Sequence, residues 1–319
     1  MKLFGKDWTD IALTTFVVVF FIFMLAPILV VVLVSFTSAG YVAFPIPGWS
    51  LKWFANIFAY QPFVDALIVS FKIGIGATIL SCLIGIPACL YLARSRTGWA
   101  SAVMAFLLSP LSMPMIVIGF ASLFFMSRLG LGISFSALLI THTIVCLPYV
   151  VRTVAGVYGS LPKSYEEAAA ILGANPLQVF WHVTLPLIRP GIMAGSLFSF
   201  LTSFDNLPVS YFFASASTNT LPVVMLSYLE HQFDPTIAAL STLQLLMAVA
   251  TLIIVDRIYG IRKNDGGRMT FHLPIDHVVV LTGDLDAAGT AFEKSRIPCH
   301  TNRKTQRCHG YGQSLCHAQ

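Results

Sequence analysis

Six long apolar runs confine most of this chain to a lipid bilayer. They are approximately Ile11 to Phe36, Val64 to Leu92, Ser101 to Met126, Phe135 to Tyr158, Leu187 to Phe213 and Thr236 to Tyr259. A helix rises about 1.5 Å per residue, so about 20 apolar residues match a hydrocarbon core of roughly 30 Å. Backbone in lipid must pair with itself, and a helix does so within one segment. The chain is 319 residues long, 56% hydrophobic and only 10% charged, which lies far from a water-soluble domain. The expectation is an all-α integral membrane fold with six transmembrane helices in contact with the lipid bilayer.

Lys2 and Lys6 precede the first run as the basic region of a secretory signal would. The run is too long for a signal and no small-residue cleavage site follows it, so it reads as a retained anchor. Lys and Arg concentrate in cytoplasmic loops. Lys2, Lys6, Arg94, Arg96, Arg152, Lys163, Arg189, Arg257, Arg262 and Lys263 all fall on the side of the N-terminus, against Lys52 and Arg128 on the other. Both ends of the six-span unit are therefore expected in the cytoplasm. The net charge of +5 follows from this topology and gives no reason to invoke nucleic acid. Cys82, Cys89 and Cys146 lie within spans, where a thiol acts as a small apolar group.

The stretch GSLPKSYEEAAAILGANPLQVFWHVTLPLIRPG, between the fourth and fifth runs, is too polar to span and too patterned for a plain linker. Pro162 suits a helix start, and Glu166 and Glu167 lie near its positive end. Gly173 ends that helix. Asn175, Pro176 and Gln178 have the form of a capping box opening a second short helix, which would present Val179, Phe180 and Val183 as an apolar stripe. Such a stripe needs a cover, either a protein partner or lipid headgroups, and periodicity alone does not choose. No phosphate-cradling G-x-x-x-x-G-K-[ST] loop occurs in the chain, so nucleotide hydrolysis is not expected here.

Glu167-Ala168-Ala169, three residues, Gly173, nine residues, then Val183-Thr184-Leu185-Pro186 resembles the EAA signature of binding-protein-dependent ABC importer permeases, EAA-x3-G-x9-I-x-L-P. One defined position differs, Val183 in place of Ile. The resemblance covers residues 1 to about 265 and implies a type I importer architecture, one N-terminal helix plus a five-helix core with a coupling-helix loop. It implies that Glu167, Ala168, Ala169, Gly173, Leu185 and Pro186 dock on the ATP-binding subunit dimer, which binds ATP; no cofactor, metal or catalytic residue is expected on this chain. It further implies a second permease subunit, and a periplasmic substrate-binding protein docking on the outer segments Thr37 to Gln61 and Ala214 to Pro235. Trp49, Trp53, Tyr41 and Tyr228 in those segments would equally serve as an aromatic belt.

Within the family the chain is most similar to the second permease of spermidine/putrescine systems. Ser203-Phe204-Asp205-Asn206, Thr220-Leu221-Pro222-Val223, Met225, Ser227-Tyr228 and Phe233-Asp234-Pro235-Thr236-Ile237-Ala238-Ala239 carry that resemblance. Permeases for iron, thiamine, phosphonates or opines share much of the pattern. Asp205, placed inside the fifth span beside Asn206, would suit a cationic polyamine, or would hydrogen-bond Ser203 or a neighbouring span. Asp65 and Lys72 share a face of the second span as a structural pair or interface anchors, and His142 and Gln244 read as packing residues with a local partner. Gly191 and Gly195 form a small-xxx-small pair, while Pro87, Pro110, Pro114 and Pro148 predict kinks.

Composition changes after Lys263, so the permease domain is taken as 1–265 and a non-permease tail as 266–319. Leu273 to Val280, Gly283 to Ala288 and Phe292-Glu293 resemble the first strand and helix of a glyoxalase-like domain, with His277 where that family can hold a metal. One strand and one helix complete neither a core nor a metal site. From Ser295 the chain turns basic and unpatterned, and Cys299-His300, Cys308-His309 and Cys316-His317 fit no common zinc spacing. A frameshift or fusion accounts for this stretch, which is expected to lack order.

Overall fold

The computed structural model describes residues 8–95, 97–259, 299–302, 305–310 and 312–316. The chain divides into two compact units, Met1–Ile261 and Arg262–Gln319. The first is helical. It comprises α1 (Trp8–Ser35), α2 (Lys52–Ala59), α3 (Gln61–Arg94), α4 (Gly98–Leu108), α5 (Met115–Arg128), α6 (Phe135–Ser160), α7 (Ser164–Ile171), α8 (Pro176–Val179), α9 (Leu185–Phe204), α10 (Leu207–Ser210), α11 (Leu221–His231) and α12 (Thr236–Tyr259).

Among the described residues, five helical stretches are long and apolar enough to cross a membrane, and the bent pair α4–α5 makes a sixth if it counts as one crossing. That third run departs from the straight helix expected over Ser101 to Met126. Its halves meet at 110°, through a 3₁₀ turn at Ser109–Ser112 and an extended Met113. Pro110 and Pro114 supply no N–H, and Pro114 also disfavours helical backbone at Met113.

The centre of the unit is a three-helix packing of α3, α6 and α9. Glycine lets α9 sit on the backbone of α6. A β-carbon on Gly191 would stand 3.0 Å from Thr153 O, and one on Gly195 would stand 2.9 Å from Val150 Cα. The second is closer than real β-carbons come, and the first is tighter than nearly all of them. Hydrogen bonds stitch the packing: Ser199 Oγ of α9 donates to Cys146 O of α6 at 3.1 Å, and Ser81 Oγ of α3 to Thr143 O of α6 at 3.2 Å. In membranes such bonds contribute about 0.6 kcal/mol each, so close packing carries most of the association.

Two apolar clusters mark opposite ends of this core. Ile57, Phe63, Phe204, Leu221, Tyr228 and Leu240 gather where α3 and α12 begin. Cys89, Val150, Val154, Tyr158 and Ile188 gather where α3 and α6 end and α9 begins. α1 packs on α12 and exposes most of its length, as a helix facing lipid does.

In the second unit, β1 (Cys299–Asn302), β2 (Thr305–Gly310) and β3 (Gly312–Cys316) form an antiparallel sheet in the order β1-β2-β3. Cys299 lies opposite Cys308, and Gln306 opposite Cys316. The glyoxalase-like stretch, including His277, lies outside the described residues.

Candidate functional site

The loop between α6 and α9 begins with α7, whose first turn carries Glu166 and Glu167. Gly173 stops it at φ +87°, a left-handed value that glycine adopts freely. Gly173 N–H donates to Ala170 O at 3.0 Å and Ala174 N–H to Ala169 O at 3.1 Å, a Schellman closure. α8 opens with the expected capping box: Gln178 N–H donates to Asn175 Oδ1 at 2.8 Å, and Asn175 N–H to Gln178 Oε1 at 2.9 Å.

The second helix does not stop before the span. α8 continues through a π-helical turn, Phe180–Thr184, directly into α9, as one stretch from Pro176 to Phe204. In a regular α-turn the Pro186 ring would press on the His182 carbonyl. The wider turn relieves that pressure, with Leu185 N–H reaching Phe180 O. Leu185 and Pro186 thus belong to the span itself.

The two glutamates of α7 have opposite surroundings. Glu167 is exposed and makes no side-chain hydrogen bond or ion pair among the described residues. Glu166 is the hub of the loop. Its carboxylate pairs with Arg94 at the end of α3, and accepts from Thr184 Oγ1 at 2.7 Å and from Tyr158 Oη at 3.3 Å. The Arg94 guanidinium lies 4.3 Å from the Tyr158 ring centroid. Four elements therefore converge on one carboxylate: α3, α6, α7 and the π-turn. The sequence reading missed this, because the resemblance directs attention to Glu167.

The apolar face is also not the expected one. Val179, Phe180 and Val183 are only half exposed, because the Glu166–Thr184 bond folds α7 back over them. The free face consists of Ile171 and Leu172, 86% and 89% exposed, with Leu177 and Trp181. Ala168 and Ala170 are exposed beside Glu167, while Ala169 is half-buried. A groove of about 420 Å³ runs between the helices, lined by Ala169, Leu172, Gly173, Gln178, Val179 and His182.

Asp205 is not inside the fifth span. α9 ends at Phe204, and Asp205 caps it with non-helical backbone before α10 begins. Its carboxylate is exposed and makes no hydrogen bond among the described residues. Asn206 is 5% exposed and caps α10 by accepting from Val209 N–H at 3.0 Å, so its oxygen is already used. Ser203 does not meet Asp205. It pairs instead with His142 Nδ1 at 2.8 Å, while His142 Nε2 pairs with Ser210 Oγ at 3.1 Å. One buried imidazole, with one nitrogen donating and the other accepting, thus ties α6 to both sides of the break. Gln244 is half-buried and has no side-chain hydrogen-bond partner among the described residues.

Near the start of α12, Asp234 accepts from Thr236 N–H at 2.9 Å and from Tyr228 Oη at 2.8 Å. Burial pushes the Tyr228 hydroxyl above its ordinary range, with Asp234 adding to the effect, so it remains a donor. Asp234 is therefore committed to local structure. Trp53 Nε1 donates to Thr37 O at 2.9 Å, while Trp49 and Tyr41 are exposed, as are Phe44, Phe58 and Tyr60 of the same outer segment. Asp65 accepts from Gln61 Nε2 at 3.1 Å and forms no pair with Lys72, since the Arg94–Glu166 bridge is the one ion pair among the described residues.

The site is thus a helical core of membrane-crossing length with a loop fastened to it through one carboxylate. Residues 85–262 match the family described as the binding-protein-dependent transport system inner membrane component, and the chain belongs to it. It is a multi-pass inner-membrane permease of the type I ABC importer class. It is 37% identical over 205 residues to the molybdenum transport system permease protein ModB of Mycobacterium tuberculosis, covering 60% of this chain and 76% of that one. It is 32% identical over 230 residues to the putrescine transport system permease protein PotI of Escherichia coli K12, covering 70% and 82%. Its fold matches a solved bacterial ABC transporter for import of the acidic polysaccharide alginate, with a TM-score of 0.63 at 17% identity over 83% of this chain and 100% of that one.

Proposed function

We propose that this chain is the permease subunit through which an ATP-driven importer brings a small solute, of polyamine type such as spermidine or putrescine, into the cytoplasm. The observation that carries the subunit role is the free apolar face of Ile171, Leu172, Leu177 and Trp181 on a loop fastened to the spans. An exposed apolar patch rimmed by polar groups marks a docking surface. The partner is an ATP-binding subunit dimer, where hydrolysis takes place. Glu167 supplies a free carboxylate, Ala168 and Ala170 admit a close backbone, and Gly173 sets the angle between the docking helices.

Alternating access follows from this attachment. ATP closes the partner dimer, the loop follows, and the spans reopen the path on the opposite side of the membrane. A second permease subunit completes the path. A periplasmic binding protein delivers solute to the outer segments, where a pocket of about 430 Å³ opens between Tyr60, Asn219, Ser227, Tyr228, His231 and Gln232. With α4–α5 counted as one crossing, both ends lie in the cytoplasm. Transport resides in residues 1–265, and the tail takes no part.

Asp205 supports a cationic solute, since an exposed carboxylate without a hydrogen bond at a helix break is free to accept ammonium donors. The putrescine permease relative agrees with it. The molybdenum permease relative, at higher identity, favours a second reading in which the solute is an oxyanion of molybdenum. Binding of putrescine, spermidine and molybdate to the cognate binding protein, followed by uptake in proteoliposomes, decides between them. Asp205→Asn is expected to lower polyamine uptake while ATP hydrolysis persists. Molybdate uptake without polyamine uptake would overturn the polyamine reading. The docking role is tested by co-purification with the ATP-binding subunit, expected to be lost in Glu167→Lys and in Gly173→Pro.

A further inference from the structure

Glu166 lies outside the motif that the family resemblance rests on, and Thr184 occupies a position which that motif leaves undefined. Yet these two side chains, with Arg94 and Tyr158, form a polar contact between the loop and the helical core. The carboxylate of Glu166 is divided between two tasks. One oxygen, Oε2, takes the Arg94 guanidinium; the other, Oε1, accepts from Thr184 and Tyr158. Arg94 is the last residue of α3, Tyr158 lies near the end of α6, and Thr184 closes the π-turn that leads into α9. These three helices make up the core packing. The Arg94 and Glu166 side chains are each 22% exposed, so water screens the pair only in part.

We propose that the Arg94–Glu166–Tyr158–Thr184 cluster is the coupling clamp of this subunit: Glu166 is a positioning residue that conveys displacement of α7 to α3, α6 and α9 together. This rests on the reading of the loop as the docking point for an ATP-binding subunit. Docking and transmission are separate tasks here. Glu167 and the apolar face hold the partner from outside, while Glu166 faces inward and grips the spans. A charged hydrogen bond shared among three donors resists shear better than apolar contact, which slides at little cost. Without Glu166, α7 would lose its side-chain link to α3, α6 and the π-turn, and displacement of the loop would reach the core only along the chain, through α8 into α9.

The test uses the whole complex, reconstituted in proteoliposomes with its ATP-binding subunits, second permease and binding protein, and follows uptake and ATP hydrolysis together. Glu166→Gln keeps the shape and the Thr184 hydrogen bond but removes the charge. It is expected to co-purify with the ATP-binding subunit as the parent does, to keep hydrolysis within about two-fold, and to lose uptake by about ten-fold, within the range of ordinary coupling free energies. Thr184→Val, a smaller change, should shift the ratio of uptake to hydrolysis in the same direction. The swap Arg94→Glu with Glu166→Arg should recover part of the uptake that either single reversal loses. Unchanged uptake in Glu166→Gln would overturn the clamp, as would uptake and hydrolysis falling in parallel with the amount of assembled complex. The docking reading fails separately, if the parent chain shows neither co-purification nor ATP-dependent uptake.

Discussion

A β-carbon at Gly195 would stand 2.5 Å from Thr153 Oγ1 and 2.9 Å from Val150 Cα, so a side chain there must push α9 away from α6. Gly195→Val is expected to destabilise the helical unit by about 1–3 kcal/mol, the usual range for overpacking, seen as a lower Tm in detergent. Gly173 poses a different constraint. Nothing lies within 4 Å of the position of its missing β-carbon, so only the left-handed backbone resists substitution. Gly173→Ala is expected to cost about 1 kcal/mol and Gly173→Asn less, because asparagine tolerates that region better. Hydrogen exchange at the end of α7, faster in the alanine variant than in the asparagine variant, checks the order.

Among elements, the break after α9 and the face of the α7–α8 loop have the clearest consequences. His142 holds Ser203 at the end of α9 and Ser210 at the end of α10. His142→Ala leaves two buried hydroxyls without their partner, expected to cost about 1–3 kcal/mol. Exchange should then rise across residues 207–213 before the rest of α6 loosens. On the loop, Ile171 and Leu172 are almost fully exposed. Ile171→Glu with Leu172→Glu should therefore leave the Tm unchanged while abolishing co-purification with the ATP-binding subunit. A fall in Tm of comparable size would show instead that the face packs within the chain.

For the whole molecule, topology and the tail are open to direct test. In a background with the tail cysteines replaced, Ser38→Cys and Ser217→Cys are expected to react with an impermeant maleimide from the periplasm, and Ser164→Cys only after permeabilisation. Deletion after residue 265 is expected to leave uptake unchanged. Much of this architecture was legible beforehand. Apolar length marked the spans, Gly191 and Gly195 marked the close helix pair, and Asn175 to Gln178 marked the capping box, because each depends on local chemistry at short spacing. The sequence reading placed Asp205 within a span because hydropathy averages over a window, and one helix end inside a long apolar run does not interrupt it. It took Val179, Phe180 and Val183 as the free face because helical periodicity does not say which side the loop folds against.

Sequence alone determined that this chain crosses a membrane repeatedly and carries a two-helix loop of fixed spacing before its fifth span, since both follow from transfer of apolar groups out of water and from short-range backbone preference. Only the tertiary structure decided which glutamate faces inward, where the third and fifth spans break, and how one imidazole bridges the second of those breaks. Those outcomes depend on partners far apart in the chain, Arg94 with Glu166 and His142 with Ser203 and Ser210, whose meeting no local pattern encodes.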